Sequence, residues 1–216
     1  MARQLVASFF ALASGAAPYP PCAAPRGIIP AVPESMCSTV ALDKNVTTGV
    51  EIRAYGRSSN EVLVTDMTPS NFQYGDVLNI SVSNIILYLQ LANSAGIDIL
   101  ANRTVPITVR PPGADGWLVS MMVSTAAFPD PARIPTPNNF EMHLEPMAMR
   151  LFATLAFGTD ALPSEAVFKA RCAELAQKLP PGYSIVQDGW SPTYALYSPR
   201  DATRWTSECW QQVEAA

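Results

Sequence analysis

From residue 50 onward the apolar positions keep two rhythms, one of two residues and one of three to four. Val50, Ile52 and Ala54 alternate with Glu51, Arg53 and Tyr55, which predicts a strand with one buried and one polar face. A turn over 56–60 leads to a second strand over 62–67. Then the period changes. Tyr74, Leu78, Val82, Ile85 and Leu89 recur every three or four residues, so 71–91 predicts a helix with those five side chains on one face. Its Val and Ile content is poor intrinsic helix chemistry, and Gly96 supplies a later stop. Strands over 104–109 and 118–123 follow, divided by a turn at Pro111-Pro112-Gly113.

After a proline-rich connection over 128–137 the same plan returns. Phe140, Met142 and Leu144 alternate with Glu141, His143 and Glu145, and 150–157 makes the partner strand. Pro163 and Glu165 suit a helix first turn, Phe168, Cys172, Leu175 and Leu179 share a face, and Pro180-Pro181-Gly182 ends it. Strands over 183–188, 194–197 and 206–213 close the chain. Two ββαββ passes with two long helices give an α+β fold, and closing the strands into a distorted barrel would protect their edges.

The ends behave differently. Arg3 precedes an apolar stretch over 5–13 and the small residues 14–17, the order of a signal peptide at 1–17, with organelle transit, to a plastid for example, as the alternative. Pro18, Pro20, Pro21, Pro25, Pro30 and Pro33 make 18–36 an extended linker, leaving 37–213 as one folded domain. That domain is expected to be soluble, because no later segment approaches about 20 uninterrupted apolar residues. A net charge of −4, with no basic run interleaved with aromatics, argues against nucleic acid as a partner.

The chain has four cysteines, which suit an oxidising compartment and allow three pairings. Cys172 lies on a helix face and Cys209 on the closing strand that returns to the same core, so that pair is expected, with Cys22–Cys37 as the other. Asn45, Asn79 and Asn102 each open a glycosylation sequon.

Candidate chemistry is sparse. The sequence holds no nucleophile elbow, phosphate loop or zinc-protease helix, and a non-enzyme is expected. The one histidine, His143, lies between Glu141 and Glu145 on the polar face of its strand, where solvation is its expected state. Glu141 and Glu145 share that strand face, a spacing that serves a carboxylate pair only beneath a cleft.

Two phrases carry a resemblance. Gly49-Val50-Glu51-Ile52-Arg53-Ala54-Tyr55 resembles the early strand, and Tyr197-Ser198-Pro199 with Arg204 and Glu208-Cys209-Trp210 the closing strand, of the SOUL/haem-binding family. Ser207 stands where that family usually has Asn, and Arg103 replaces the methionine of the segment matched by Thr104-Val105-Pro106. The resemblance implies a SOUL-like barrel that binds haem or another tetrapyrrole in an apolar groove beside the first helix, for carriage, buffering or scavenging. On that expectation Leu87, Leu91, Met121 and Met122 would meet the macrocycle, and Arg103 and Arg110 would pair its propionates. The early axial histidine proposed for some members has no counterpart, since no histidine precedes His143. Arg53, Arg204 and Glu208 read either as a ligand-facing cluster or, preferably, as an ion pair between the first and last strands. The same two-pass plan also resembles bacterial effector-binding domains of the GyrI type. That resemblance implies protein interaction or a small-molecule effector.

Overall fold

The repeat written in the sequence and the compact units of the protein do not coincide. A computed structural model describes residues 37–42, 48–55, 61–99, 103–123, 128–197 and 205–215, with 37–42 and 103–105 as backbone only. Among the described residues, ten strands and two α-helices run β1 (Cys37–Leu42), β2 (Val50–Tyr55), β3 (Val62–Thr68), α1 (Tyr74–Gln90), β4 (Arg103–Gly113), β5 (Gly116–Val123), β6 (Met142–Pro146), β7 (Arg150–Thr159), α2 (Glu165–Gln177), β8 (Tyr183–Ile185), β9 (Thr193–Tyr197) and β10 (Trp205–Ala215), with a 3-10 turn at Pro131–Arg133 between β5 and β6. This is an α+β protein with antiparallel strand pairing. Among the described residues, 61–147 form one unit, and 37–55 with 148–215 form the other.

The first unit has strand order β4-β5-β3-β6, with α1 on one face. The second has β1-β2-β7-β10-β9, with β8 on the end of β10 and α2 on one face. The first unit therefore holds β3, β4 and β5 of the first sequence pass with the leading strand β6 of the second, and the second unit holds β7 to β10 of the second pass with the leading strand β2 of the first. β6 pairs with β3, placing Thr65 opposite His143, and β2 pairs with β7, placing Arg53 opposite Phe152. No periodicity argument sees this exchange, because alternation fixes which face a residue takes and not which strand lies beside it.

α1 forms where its apolar face predicts, and Tyr74, Leu78, Val82, Ile85 and Leu89 are all buried. Burial of that face outweighs the modest propensity cost of its β-branched residues. The helix ends at Gln90, before Gly96. Asn93 closes it: its amide donates to the Tyr88 and Ile97 carbonyls, and its Oδ1 accepts from the Ala95 and Ile97 N–H groups. α2 is capped by Ser164, whose Oγ accepts from the Val167 N–H. It buries Phe168, Cys172 and Leu175 but stops at Gln177, so Leu179 lies beyond it.

The turn expected at Pro111-Pro112-Gly113 falls one step later. β4 runs through Gly113, a register shift after Arg110 accommodates the prolines, and the chain reverses at Ala114–Asp115. Gly116 follows with φ +85°, where a Cβ would run into the Thr68 carbonyl oxygen. β1 was not anticipated; it adds an outer strand to β2. The residues of the signal peptide, the linker, Asn45, Asn102, Arg204 and Cys22 lie outside those described.

Candidate functional site

In the second unit the strand face away from α2 is polar and nearly dry. The alternation of β2 predicts that Glu51, Arg53 and Tyr55 face solvent; instead Arg53 and Tyr55 are buried to 3% and 1% exposure. Arg53 Nη1 donates to Glu208 Oε2 at 3.1 Å, and Nη2 lies 3.0 Å from Glu208 Oε1. Its Nε and Nη2 also donate to Glu51 Oε2, at 2.9 and 2.7 Å. Glu208 Oε2 accepts twice more, from the Tyr197 hydroxyl and the Trp210 indole, both at 2.7 Å. Tyr55 lies against Trp210 with ring centroids 4.7 Å apart, and Phe152 meets both rings.

Glu51, Arg53 and Tyr55 come from β2, Phe152 from β7, Tyr197 from β9, and Glu208 and Trp210 from β10. Of the two readings of Arg53 and Glu208, the ion pair is what forms. A carboxylate with no exposed surface requires such a set of donors, since leaving it unpaired would cost several kcal/mol. Burial would lower the Arg53 guanidinium's hold on its proton; Glu208, then Tyr55, Tyr197 and Glu51, raise it well above the ordinary value. Burial, reinforced by Glu208, likewise lifts the Tyr197 phenol far above its usual range, and burial lifts Tyr55. The network has two carboxylates for one guanidinium. Ser207 is buried beside it, on the opposite face of β10.

On that opposite face Cys209 joins Cys172 of α2, with Cα atoms 5.3 Å apart, as expected. The Cys22–Cys37 pair falls outside the described side chains.

The first unit carries a looser counterpart. Arg110 grips Glu145 through Nη2 to Oε2 at 2.6 Å and Nη1 to Oε1 at 3.3 Å, while Thr65 and Ser120 share a 2.9 Å hydroxyl contact beside them. Arg110 is thus a buried, committed cation rather than a strand end in solvent, and Glu145 is its partner rather than half of a carboxylate pair with Glu141. His143 is exposed, as expected of a solvated residue.

The other proposed ligand residues separate. Met121 and Met122 are both buried, to 1% and 4% exposure, in β5. Leu87 and Leu91 lie on the outside of α1 at 56% and 62% exposure. Ile80, four residues and one turn before Asn84, is 37% exposed, and Ile97 just past the helix is 44% exposed. A spacing of seven residues puts Ile80 and Leu87 on one line of the helix, with Leu91 as the residue that caps its end, while Asn79, Ser83 and Gln90 form a polar line beside it. The signal was present in the sequence, since these three leucine and isoleucine positions fall off the five-residue core face.

No family model and no curated protein matches the chain. Among solved structures it is similar to the EcmrR–DNA complex seen by cryo-EM in EcmrR-RPo, at 11% identity and TM-score 0.47, covering 77% of this chain and 57% of that one. It is also similar to the EcmrR C-terminal domain at 11% identity and TM-score 0.46, covering 77% and 98%. SAV2435 bound to tetraphenylphosphonium gives 13% identity and TM-score 0.41, covering 76% and 93%. Among the described residues no helix is long and apolar enough to cross a membrane, and no group of three or more His, Cys, Asp or Glu could hold a metal ion.

Proposed function

We propose that this chain is a non-catalytic binding domain that takes a small, largely apolar effector against the outward line of α1. The exposure of Leu87 and Leu91 carries the reading. Both are large aliphatic side chains more than half open to water, Leu87 aligned with Ile80 on a helix whose other face is used by the core and Leu91 at the cap that ends it. From Ile80 to Leu91 the line is about 16 Å long and one side chain wide. A stable protein interface needs about 800 Å² from each partner, so the scale suits a small molecule better than a protein.

The ligand's charge is constrained as well. α1 carries Asp76 and no lysine or arginine. A neutral or cationic apolar effector meets no desolvated like charge there. The tetrapyrrole implied by the SOUL resemblance belongs to the same size class, but its propionates would meet no cation on α1. The effector-binding alternative is therefore the reading the geometry supports better.

Calorimetric titration with tetraphenylphosphonium and with haem tests this. Saturable binding is expected, stronger for the cation, and weakened at least tenfold by Leu87→Asn or Leu91→Asn with the circular dichroism unchanged. No binding of either compound, or binding indifferent to both substitutions, would overturn the site.

A further inference from the structure

α1 rests on the first unit through a seam that is not wholly apolar. Val77, Leu78, Val82, Ile85 and Leu89 bury its inner face, and between them Ser81 and Asn84 meet β3. Asn84 Nδ2 donates to Asp66 Oδ1 at 3.0 Å, and the Ser81 and Thr68 hydroxyls lie 2.9 Å apart. Asp66 has no exposed surface. From α1 it faces only the neutral Ser81 and Asn84, and from its own strand Thr68; its register neighbours are the apolar Val119 of β5 and Met142 of β6. The charged group directed at it is Glu141, just before β6.

We infer that Asp66 is a proton-operated latch for α1, seating the helix firmly when the carboxyl is neutral and loosening it when ionised. Asn84 lies four residues after Ile80 and three before Leu87, so a shift at the seam moves the outward line on both sides. The regulatory meaning of the latch rests on the function proposed for that line; the latch itself does not.

Burial raises the Asp66 carboxyl above its ordinary value; the Ser81 and Asn84 hydrogen bonds pull it down, and the Glu141 charge pushes it up again. A folded value raised above the unfolded one means that the stabilisation is complete below the ordinary carboxylate range. It is lost as pH rises through the raised value.

Hydrogen exchange of the α1 amides across a pH series, corrected for intrinsic exchange, reads the latch directly. Protection is expected to fall about tenfold for each pH unit by which folding raises the carboxyl, then level off. Asp66→Asn should abolish the fall. Asn84→Ala, which takes a donor from the carboxylate, should move it to higher pH. Constant protection in the native chain, or an unchanged fall in Asp66→Asn, would overturn the inference. Tetraphenylphosphonium titrations on the same samples separate the two ideas: a fall abolished by Asp66→Asn without binding at any pH sustains the latch and removes the effector reading.

Discussion

The two units solve one problem in two ways. Each has a helix on one face of its strands and an arginine–glutamate contact on the other. In the second unit the contact is sealed: Glu208 has no exposed surface and accepts from Arg53, Tyr197 and Trp210, and a disulfide fastens helix to strand. In the first unit Glu145 keeps a quarter of its side chain in solvent, and the helix is held by hydroxyl and amide contacts to β3. Full desolvation demands many donors, whereas partial exposure lets water supply what the protein does not. The second unit fastens its helix covalently, and the first holds its helix by packing and hydrogen bonds.

Breaking the exchange of leading strands should have the largest effect. A fragment spanning 37–123 follows one sequence pass yet leaves β2 without β7 and β3 without β6. A fragment spanning 59–147 keeps every pairing of the β4-β5-β3-β6 set. Circular dichroism is expected to show clearly more ordered structure in the second fragment; equal disorder or equal order would mean that the exchange is not what defines the units.

Next come the two ion pairs. Glu208→Ala should cost about 3–5 kcal/mol, because it removes at once the buried acceptor shared by Arg53, Tyr197 and Trp210. Glu145→Ala should cost less, about 1–2 kcal/mol: it too takes the carboxylate from a buried guanidinium, but the quarter-exposed site lets water replace it. Urea unfolding of both variants measures the contrast, and comparable losses would erase the distinction drawn between the units.

Of similar or slightly smaller size is the disulfide. Its cysteines are separated by 37 residues, so replacing both by Ala should lower stability by about 4 kcal/mol on the chain-entropy model. Hydrogen exchange should place the loss in α2 and β10 while α1 stays protected. A loss felt first in α1 would contradict the assignment of the bridge to the second unit alone.

Much of this was readable beforehand. The core face of α1 was legible because five apolar residues at helical spacing leave one way to bury them, and Cys172–Cys209 because each thiol sat on an element facing the same core. The site was less so. Alternation in β2 marked Arg53 and Tyr55 as outward, and they are buried, since a strand covered on both faces keeps its polar residues only by pairing them. Likewise, the commitment of Arg110 to Glu145 joins residues from β4 and β6, which no local pattern links.

By itself the sequence determined which residues take helix and strand, which helical face is apolar, and which two cysteines share a core, because these follow from local periodicity and the burial of apolar surface. Tertiary structure alone decided that β2 and β6 trade places and that Glu208 gathers three donors from β2, β9 and β10. Those facts depend on which strand or helix lies beside which, and period carries no record of neighbours distant in the chain.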